Sequence, residues 1–331
     1  MLQTQSITGK PPRKRWLLPL LSGAVVVAVL AGALAFSINA RAGAHAANAA
    51  VQAKAPTYES FYMYSSSTSE AKTLGCNQGH AQAKYKTSGT VVLDFGGQNS
   101  SGSGTLMINS VSISNSQIAA VAEAFSAGFK SCIGSSTTIL HLGIGTNNSY
   151  HDVGTAGGKT WGKLVASIQN YNKSKKYYPQ VLMYGADDIE PSWSSASAAI
   201  AWVNGFASVP GYDYFDYGSA DGCPETSSNN GGCNNGWNQY DVWYVSGGAK
   251  PARATPEIYY EANAEQWAMI SLYAAQHRGG KMNIWGPWDE YDFDHSTFTS
   301  AGAWNAMWSA VNSHSATKQN FGYSLEIWGE P

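Results

Sequence analysis

QVLMYGADDIEPSW, residues 180–193, is an apolar run that ends in three closely spaced carboxylates. The length and composition of the apolar run are those of a buried β-strand. A second apolar run, TTILHLGIG (137–145), comes earlier in the chain. Between the two, apolar residues recur at helical spacing, at Trp161, Leu164, Val165 and Ile168. Strand, helix and strand in this order predict one parallel βαβ unit.

The same alternation continues along the chain. Seven runs are strand-like: TVVLDF, TTILHLGIG, QVLMYGA, YDYFDYG, DVWYVS, PEIYYE and MNIWGP. An eighth strand would come from ESFYMYS near residue 60 or from YSLEIW near residue 325. Helical patterns lie at residues 118–129, 264–278 and 304–311. We therefore predict an α/β fold, a closed (β/α)8 TIM-like barrel. An open doubly wound sheet is the alternative, without the G-x-G-x-x-G of its nucleotide-binding members.

The first 46 residues differ in character from the rest. A basic stretch, MLQTQSITGKPPRKRW, precedes an apolar run over residues 17–36, and small residues with A-x-A cleavage options follow it. This layout is typical of a secretory signal peptide. The run is also long enough to span a bilayer, so an uncleaved membrane anchor is the alternative. Residues 47–57 are predicted to be a linker, and residues 58–331 a single barrel domain.

Charge and composition exclude several partners. Beyond residue 46 the chain keeps 15 basic and 22 acidic residues, a balance of −7, and it has no Lys/Arg-rich run. Such a surface does not suit a phosphate backbone, so no nucleic acid is expected. Membrane contact is expected only through the N-terminal segment. Aromatic residues make up 12% of the chain, a proportion common in secreted polysaccharide-active proteins.

The cysteines predict two disulfides. The chain has four, Cys76, Cys132, Cys223 and Cys233, and an even number in an exported protein indicates bridges. Cys223 and Cys233 enclose the short turn-rich segment CPETSSNNGGC, so the predicted pairs are Cys223–Cys233 and Cys76–Cys132. The C-x-x-C spacing of zinc sites does not occur. We predict neither a metal nor a cofactor.

Acids recur where the strand-like runs end. They are Asp94, Asp187, Asp188, Glu190, Asp216, Glu261, Asp289 and Glu290. The carboxyl ends of barrel strands meet at one face, so we predict a single acidic pocket there. The alternative is that these acids cap the helices that follow the strands. Pro191 and Ser192 would suit such a helix start after residues 187–190.

The spacing within the opening stretch suggests a chemistry. Asp188 and Glu190 are two positions apart and would share one face of a strand. Two carboxyl groups in a confined pocket raise each other's proton affinity, so one of them stays protonated. Glycoside hydrolysis needs this division into one acid and one carboxylate. We assign Glu190 as general acid and Asp188 as its partner, with Asp94 and Asp289 orienting substrate or water.

Aromatic side chains near the acids fit a sugar site, because flat rings stack on the apolar faces of pyranoses. The alternative is that the rings fill the barrel core, as we expect for Trp285. The predicted substrate-binding residues are Trp193, Trp288, Tyr184, Asp216, Glu261 and Glu290.

The D-x-E of Asp188 and Glu190 resembles one strand of two secreted barrel families, the chitinases and the barrel-type muramidases. The further acids of the chitinase pattern would fall on Ala186 and Met183, which are not acidic. The other acids of the muramidase pattern correspond to Asp94 and Asp289 in this sequence. Over the whole chain, VVLDFGGQ, EPSW, YGSADGC, QYDVWY and GPWDEYD resemble a set of exported bacterial proteins of unassigned function. The D-x-E resemblance implies a secreted hydrolase acting on polysaccharide or peptidoglycan. A non-catalytic glycan- or wall-binding protein on the same scaffold is the alternative.

Overall fold

Parallel strands separated by helices form the framework, as the sequence pattern predicts. The computed structural model describes residues 56–149, 153–290 and 298–328. Ten strands occur there: β1 (Thr57–Tyr62), β2 (Gly89–Gln98), β3 (Gly104–Leu106), β4 (Ser112–Ser114), β5 (Leu140–Asn147), β6 (Val181–Asp188), β7 (Tyr214–Asp216), β8 (Ala252–Ala254), β9 (Trp288–Glu290) and β10 (Ser324–Trp328). The predicted signal segment and most of the predicted linker lie outside the described residues.

The helices follow the apolar periodicity of the sequence. The described residues contain α1 (Thr68–Tyr85), α2 (Asn115–Cys132), α3 (Gly154–Ser174), α4 (Ala196–Ala207), α5 (Gln239–Trp243), α6 (Glu261–His277) and α7 (Ser300–Ser313). A π-helical turn, Tyr244–Gly248, continues α5. In the part of the chain that the structure describes, no helix combines the length and the apolar character needed to cross a membrane.

Eight of the strands lie side by side in one curled parallel sheet. Their order is β8-β7-β6-β5-β2-β1-β10-β9, and β3 and β4 extend the end of β2 as an antiparallel hairpin. Both candidates for the eighth strand are strands, because ESFYMYS contains most of β1 and YSLEIW contains β10, and the two pair with each other. The α/β class and the parallel sheet are therefore confirmed.

The closed barrel is not what forms; the sheet is a half-barrel. Within the described residues, the edge strands β8 and β9 are connected only through isolated parallel bridges, Ala254–Ile284 and Glu257–Trp288. Pro256 stands at this seam, where its carbonyl oxygen accepts the Trp288 N–H at 2.7 Å. Proline has no N–H to donate to a ladder, which explains why a regular pairing does not develop.

Three of the predicted strands differ in the structure. DVWYVS lies in α5 and the π-helical turn, because Asn238 and Asp241 form a capping box that starts a helix there. PEIYYE contributes one bridge before α6 begins at Glu261, and MNIWGP contributes one bridge before β9 begins. In each case a helix cap or a proline outweighs the β-propensity of Val, Ile, Tyr and Trp.

The two faces of the sheet have different surroundings. On β2, Val91, Leu93 and Phe95 pack outward in the core shared with the helices, whereas Val92 belongs to a cluster inside the curve of the sheet. Strand residues alternate between faces, so Asp94 points to the inner side with Val92. The inner cluster consists of Tyr58, Val92, Ala186, Phe215, Tyr217, Trp288, Tyr323, Leu325 and Ile327.

Both predicted disulfides are confirmed. Cys76–Cys132 joins α1 to the end of α2, and Cys223–Cys233 closes the short loop. The first pair requires the two helices to pack closely. A Cβ at Gly75 would stand 2.0 Å from the carbonyl oxygen of Phe125, so glycine is needed at this crossing.

Candidate functional site

Two buried carboxyl groups lie on the strands that flank β5. Asp94 pairs in register with Gly145 of β5, and Asp188 pairs with Asn147 two residues later. A Cβ at Gly145 would lie 2.8 Å from the Tyr217 hydroxyl and 2.9 Å from the Asp94 Cα. A side chain at residue 145 is therefore excluded, because the Tyr217 hydroxyl and the Asp94 backbone already occupy that position.

A bulge in β2 orients Asp94. The register with β5 shifts between Asp94 and Gly97, and Gly96 takes a φ of 77° in the left-handed region that favours glycine. The Gly96 N–H donates to Asp94 Oδ1 at 2.6 Å. The sequence DFGG thus ends the regular strand and turns the carboxylate toward the carboxyl ends of the strands.

Asp94 and Asp188 line a cavity of about 360 Å³. Asp94 is 2% exposed and Asp188 is 4% exposed. Tyr62 of β1 and Trp193 form part of the same wall, and Trp193 is 41% exposed. The hairpin of β3 and β4 supplies the opposite wall through Leu106, Met107, Ile108 and Ser110. The cavity therefore combines acids at its base with an accessible aromatic ring at its rim.

The two carboxyl groups differ in proton affinity. Burial raises the pKa of Asp94 to about 6, and the hydrogen bond from Gly96 limits that rise. The pKa of Asp188 lies well above its usual range because burial is reinforced by the charges of Glu190, Glu257, Asp94 and Asp216. At neutral pH Asp94 is therefore largely ionised, whereas Asp188 binds its proton more tightly than an exposed aspartate does.

Glu190 follows the end of β6, and its backbone is fixed. Its N–H donates to Asn148 Oδ1 at 3.1 Å, and Asn148 Nδ2 donates back to its carbonyl oxygen at 3.2 Å. Burial raises the pKa of Glu190 to about 8, with the charges of Asp221, Glu290 and Asp216 adding to it. The group is therefore mostly protonated at pH 7.

The helix-cap alternative for residues 187–190 is wrong. The next helix, α4, begins at Ala196, and its N-cap is Ser195, whose hydroxyl accepts the Ala198 N–H at 3.3 Å. Asp187 and Asp188 instead end β6. A serine five residues beyond Glu190 caps the helix, so the acids remain available for another role.

A tyrosine connects two further acids of the site. The Tyr259 hydroxyl lies 2.9 Å from Glu290 Oε2 and also hydrogen-bonds Glu257 Oε1. A phenol has one proton, so both contacts can be hydrogen bonds only if one of the glutamates is itself protonated. Burial and the charge of Glu190 raise the pKa of Glu257 well above its usual range, which makes Glu257 the natural proton carrier.

Sequence reasoning missed Glu257. It selected Glu261, the last acid of PEIYYE, but that residue is exposed in the first turn of α6. Side chains two positions apart in an extended segment lie on the same face, so Glu257 shares a face with Thr255 and with Arg253 of β8. This spacing is the sequence signal that could have identified Glu257.

Three of the sequence-predicted strand-end acids point away from the cavity. Asp216 bonds the Ser246 hydroxyl and the Gly218 N–H on the helix side of the sheet. Asp187 lies between β6 and α4, beside a cavity of about 20 Å³. Asp289 pairs in register with Glu326, whereas its neighbours Trp288 and Glu290 pair with the inner residues Leu325 and Ile327. Asp289 and Glu290 therefore face opposite sides.

The proton on Asp216 can be placed from its partners. Ser246 Oγ lies within hydrogen-bond distance of both Asp216 Oδ2 and the Val242 carbonyl, yet it has one proton. Burial raises the pKa of Asp216 to about 7. A protonated Asp216 that donates to Ser246, while Ser246 donates to Val242, satisfies all three groups.

The aromatic residues predicted to bind substrate lie in different parts of the structure. Trp193 reaches the acidic cavity, whereas Trp288 is 1% exposed and packs against Tyr217 at 4.6 Å between ring centroids. Tyr184 lies near the other end of the sheet, where its hydroxyl bonds His141 Nδ1 at 3.0 Å and its ring stacks on Phe215. Of the three, Trp193 alone lines this cavity.

The acids are not arranged like a set of metal ligands. Across the described parts of the chain, one group of three potential ligand atoms lies within 4.8 Å of one another: Cys76, His80 and Cys132. Its two sulfur atoms are joined in a disulfide. The carboxyl groups instead interact through protons and charge.

Comparison with known proteins assigns no family. No protein-family model matches the sequence, and no curated protein matches it.

Proposed function

We propose that this protein is an exported glycan hydrolase that cleaves glycosidic bonds at the carboxyl end of a TIM-like sheet. One observation carries the proposal: Asp94 and Asp188 line a single cavity beside the exposed ring of Trp193. Each acid has a buried carboxyl oxygen, Asp94 Oδ2 and Asp188 Oδ1, without a hydrogen-bond partner among the described residues. Buried polar atoms normally have partners, so these oxygens suit a polar ligand.

The proton affinities suggest a division of roles. Glu190, with a pKa of about 8, is protonated at pH 7 and would donate a proton to the departing sugar oxygen. Asp94, with a pKa of about 6, would be the carboxylate that attacks the sugar or activates water. The sequence position of Asp188 suggested that it acts as the carboxylate. In this proposal Asp188 would instead donate a hydrogen bond to the substrate. Acids with separated pKa values are typical of glycosidase sites.

The walls of the cavity support a sugar substrate. Trp193 offers a flat, accessible ring for stacking, and Tyr62 and Asn147 add polar groups near the acids. A volume of about 360 Å³ is within the range of small-ligand pockets, roughly 300–1,000 Å³, and would take part of a polysaccharide or peptidoglycan chain. Two disulfides are compatible with the export that we propose.

The second candidate is a non-catalytic glycan-binding protein. It is favoured by the raised pKa values of Asp188 and Glu257, which shift both carboxyl groups toward the uncharged form. Neutral carboxyl groups can donate hydrogen bonds to sugar hydroxyls without cleaving a bond. The difference between the two candidates is therefore whether Asp94 and Glu190 turn substrate over.

The deciding experiment measures reducing ends released from peptidoglycan and from a panel of polysaccharides. The chain without its first 46 residues is compared with Glu190→Gln and Asp94→Asn, with Glu225→Gln, an exposed acid of the disulfide loop, as the control. Hydrolysis lost in the first two variants and kept in the control supports the enzyme. Binding without hydrolysis by the unmodified chain supports the second candidate.

A further inference from the structure

A second cavity opens at the opposite end of the sheet, at the amino ends of β6 and β7. Its volume is about 750 Å³, and its wall includes Gln169 and Lys173 of α3, Tyr178, Asp213 and Lys250. This location is separate from the acidic cavity, which lies where the strands end. A site here would therefore act independently of the proposed catalytic groups.

Positive charge exceeds negative charge around this cavity. Asp213 forms an ion pair with Arg253, with 2.6 Å between the carboxylate oxygen and Nη2. Lys173 and Lys250 form no ion pair with a carboxylate among the described residues. Lys173 instead lies over the Tyr178 ring, with Nζ 5.5 Å from the centroid. Burial raises the pKa of Asp213, and the charges of Arg253 and Lys250 oppose that rise. Lys173, Lys250 and Arg253 are therefore three cations for one carboxylate. In a chain that is acidic as a whole, this local excess of positive charge favours an anionic ligand.

The cavity also has groups that suit a sugar. Tyr178 is 49% exposed, so its ring is accessible at the rim. Gln169 is 5% exposed, and its Oε1 accepts the Met183 N–H at 2.9 Å. The Gln169 Nε2 has no hydrogen-bond partner among the described residues. A buried amide donor without an acceptor can be satisfied by a ligand hydroxyl or carboxylate.

The floor beneath these groups is uncharged. Burial lowers the pKa of His141 to about 4, so its ring is neutral at pH 7. Burial raises the pKa of Tyr184 to about 12, so its hydroxyl, which bonds His141, keeps its proton. The positive charge of the site therefore comes from Lys173, Lys250 and Arg253, and Asp213 offsets one of these three charges.

We propose that this cavity binds an anionic sugar, one that carries a carboxylate or a phosphate group. Lys173 and Lys250 would bind the anionic group, Tyr178 would stack on the ring, and Gln169 would donate to an oxygen of the sugar. The volume falls within the ~300–1,000 Å³ of small-molecule sites. The proposal extends beyond hydrolysis, because it gives the protein a second, charge-selective glycan site.

Calorimetric titration at low salt tests the proposal with matched probes. Oligogalacturonate and its methyl ester have the same rings with and without charge, and galactose 1-phosphate and galactose form the second pair. Binding of a charged probe should weaken roughly 3–10-fold in Lys173→Gln and in Lys250→Gln, and it should weaken further at high salt. Lys163→Gln, ten residues earlier on α3 and outside the cavity wall, is the control.

The two probe pairs separate a carboxylate ligand from a phosphate ligand, and either one supports the site. Glu190→Gln should bind the charged probe as well as the unmodified chain does, because that residue is at the other end of the sheet. Melting curves of the lysine variants establish that they fold. The proposal is overturned if neither charged probe binds, if the uncharged partners bind equally well, or if the control weakens binding as much as Lys173→Gln.

Discussion

Asn148 holds the backbone of Glu190 from both sides, accepting its N–H at 3.1 Å and donating to its carbonyl oxygen at 3.2 Å. The same amide nitrogen donates to Ser194 Oγ at 2.8 Å. This arrangement connects the loop after β5 to the turn after β6. It fixes the backbone from which the side chain of the proposed proton donor extends.

Asn148→Ala should therefore lower turnover more than it lowers stability. Loss of these neutral hydrogen bonds costs about 1 kcal/mol each, whereas a displaced general acid reduces kcat by roughly 10-fold or more. Turnover and thermal unfolding measured on the same preparation check this. Asn229→Ala, an exposed loop asparagine, is the control. An unchanged kcat in Asn148→Ala would show that the backbone of Glu190 needs no such support.

The pH dependence of hydrolysis should be bell-shaped. Activity rises as Asp94 loses its proton, with a pKa of about 6, and falls as Glu190 loses its proton, with a pKa of about 8. Glu190→Gln should reduce turnover by about 10²–10⁴-fold and remove the alkaline limb, while glycan binding stays nearly intact. Initial rates from pH 4 to 10 test both statements. An alkaline limb that persists in Glu190→Gln would assign the acid to another group.

Trp193→Ala should weaken substrate binding without disturbing the fold. The ring is 41% exposed at the rim of the acidic cavity, so its removal leaves no buried void. Loss of one aromatic stacking contact, about 0.5–1.5 kcal/mol, corresponds to a KM roughly 2–10-fold higher. Tyr85→Ala, which removes a ring that is 44% exposed and lines no wall of that cavity, is the matched control. Equal KM values in the two variants would exclude Trp193 from the binding site.

The free energy of unfolding should fall as the pH rises from 5 to 8. Burial raises the pKa of Asp94 to about 6 and of Asp216 to about 7, from an ordinary 3.8. The folded state holds these protons more tightly than the unfolded state. The stabilisation that the protons contribute is therefore complete below about pH 4, and it is lost as the pH rises through the folded-state pKa values. For both groups together, we expect the free energy of unfolding to decrease by roughly 3–4 kcal/mol between pH 5 and pH 8.

Denaturant unfolding of Asp216→Asn tests this pH dependence. The asparagine amide can donate to Ser246 while Ser246 donates to the Val242 carbonyl, as the protonated acid does. The variant should therefore fold and show a smaller decrease between pH 5 and 8 than the unmodified chain. A slope identical to that of the unmodified chain would mean that Asp216 does not titrate in this range.

Removal of the Cys76–Cys132 bridge should destabilise the protein more than removal of Cys223–Cys233. The first pair is separated by 56 residues and the second by 10. In the chain-entropy model the longer loop is worth about 4 kcal/mol and the shorter about 3 kcal/mol. Paired Cys→Ser variants compared by denaturant unfolding measure the difference. The opposite order would show that local packing outweighs loop entropy.

Much of the fold was predictable because local patterns determine it. Apolar runs became β2, β5 and β6, and helical spacing became α2, α3, α6 and α7. The disulfides were also predictable, since a ten-residue separation between Cys223 and Cys233 favours closure of that loop. The irregular seam between β8 and β9 was not predictable, because Pro256 acts on the pairing of strands that are distant in sequence.

The sequence by itself determined that acids stand where the strands end. It could not determine which of two adjacent acids faces the cavity, because side chains alternate along a strand and a shift of one residue exchanges the faces. Pairing with β5 turns Asp188 inward and Asp187 toward the helices, and pairing with β10 does the same for Glu290 and Asp289. Only tertiary pairing decides that register, and with it which carboxyl groups meet.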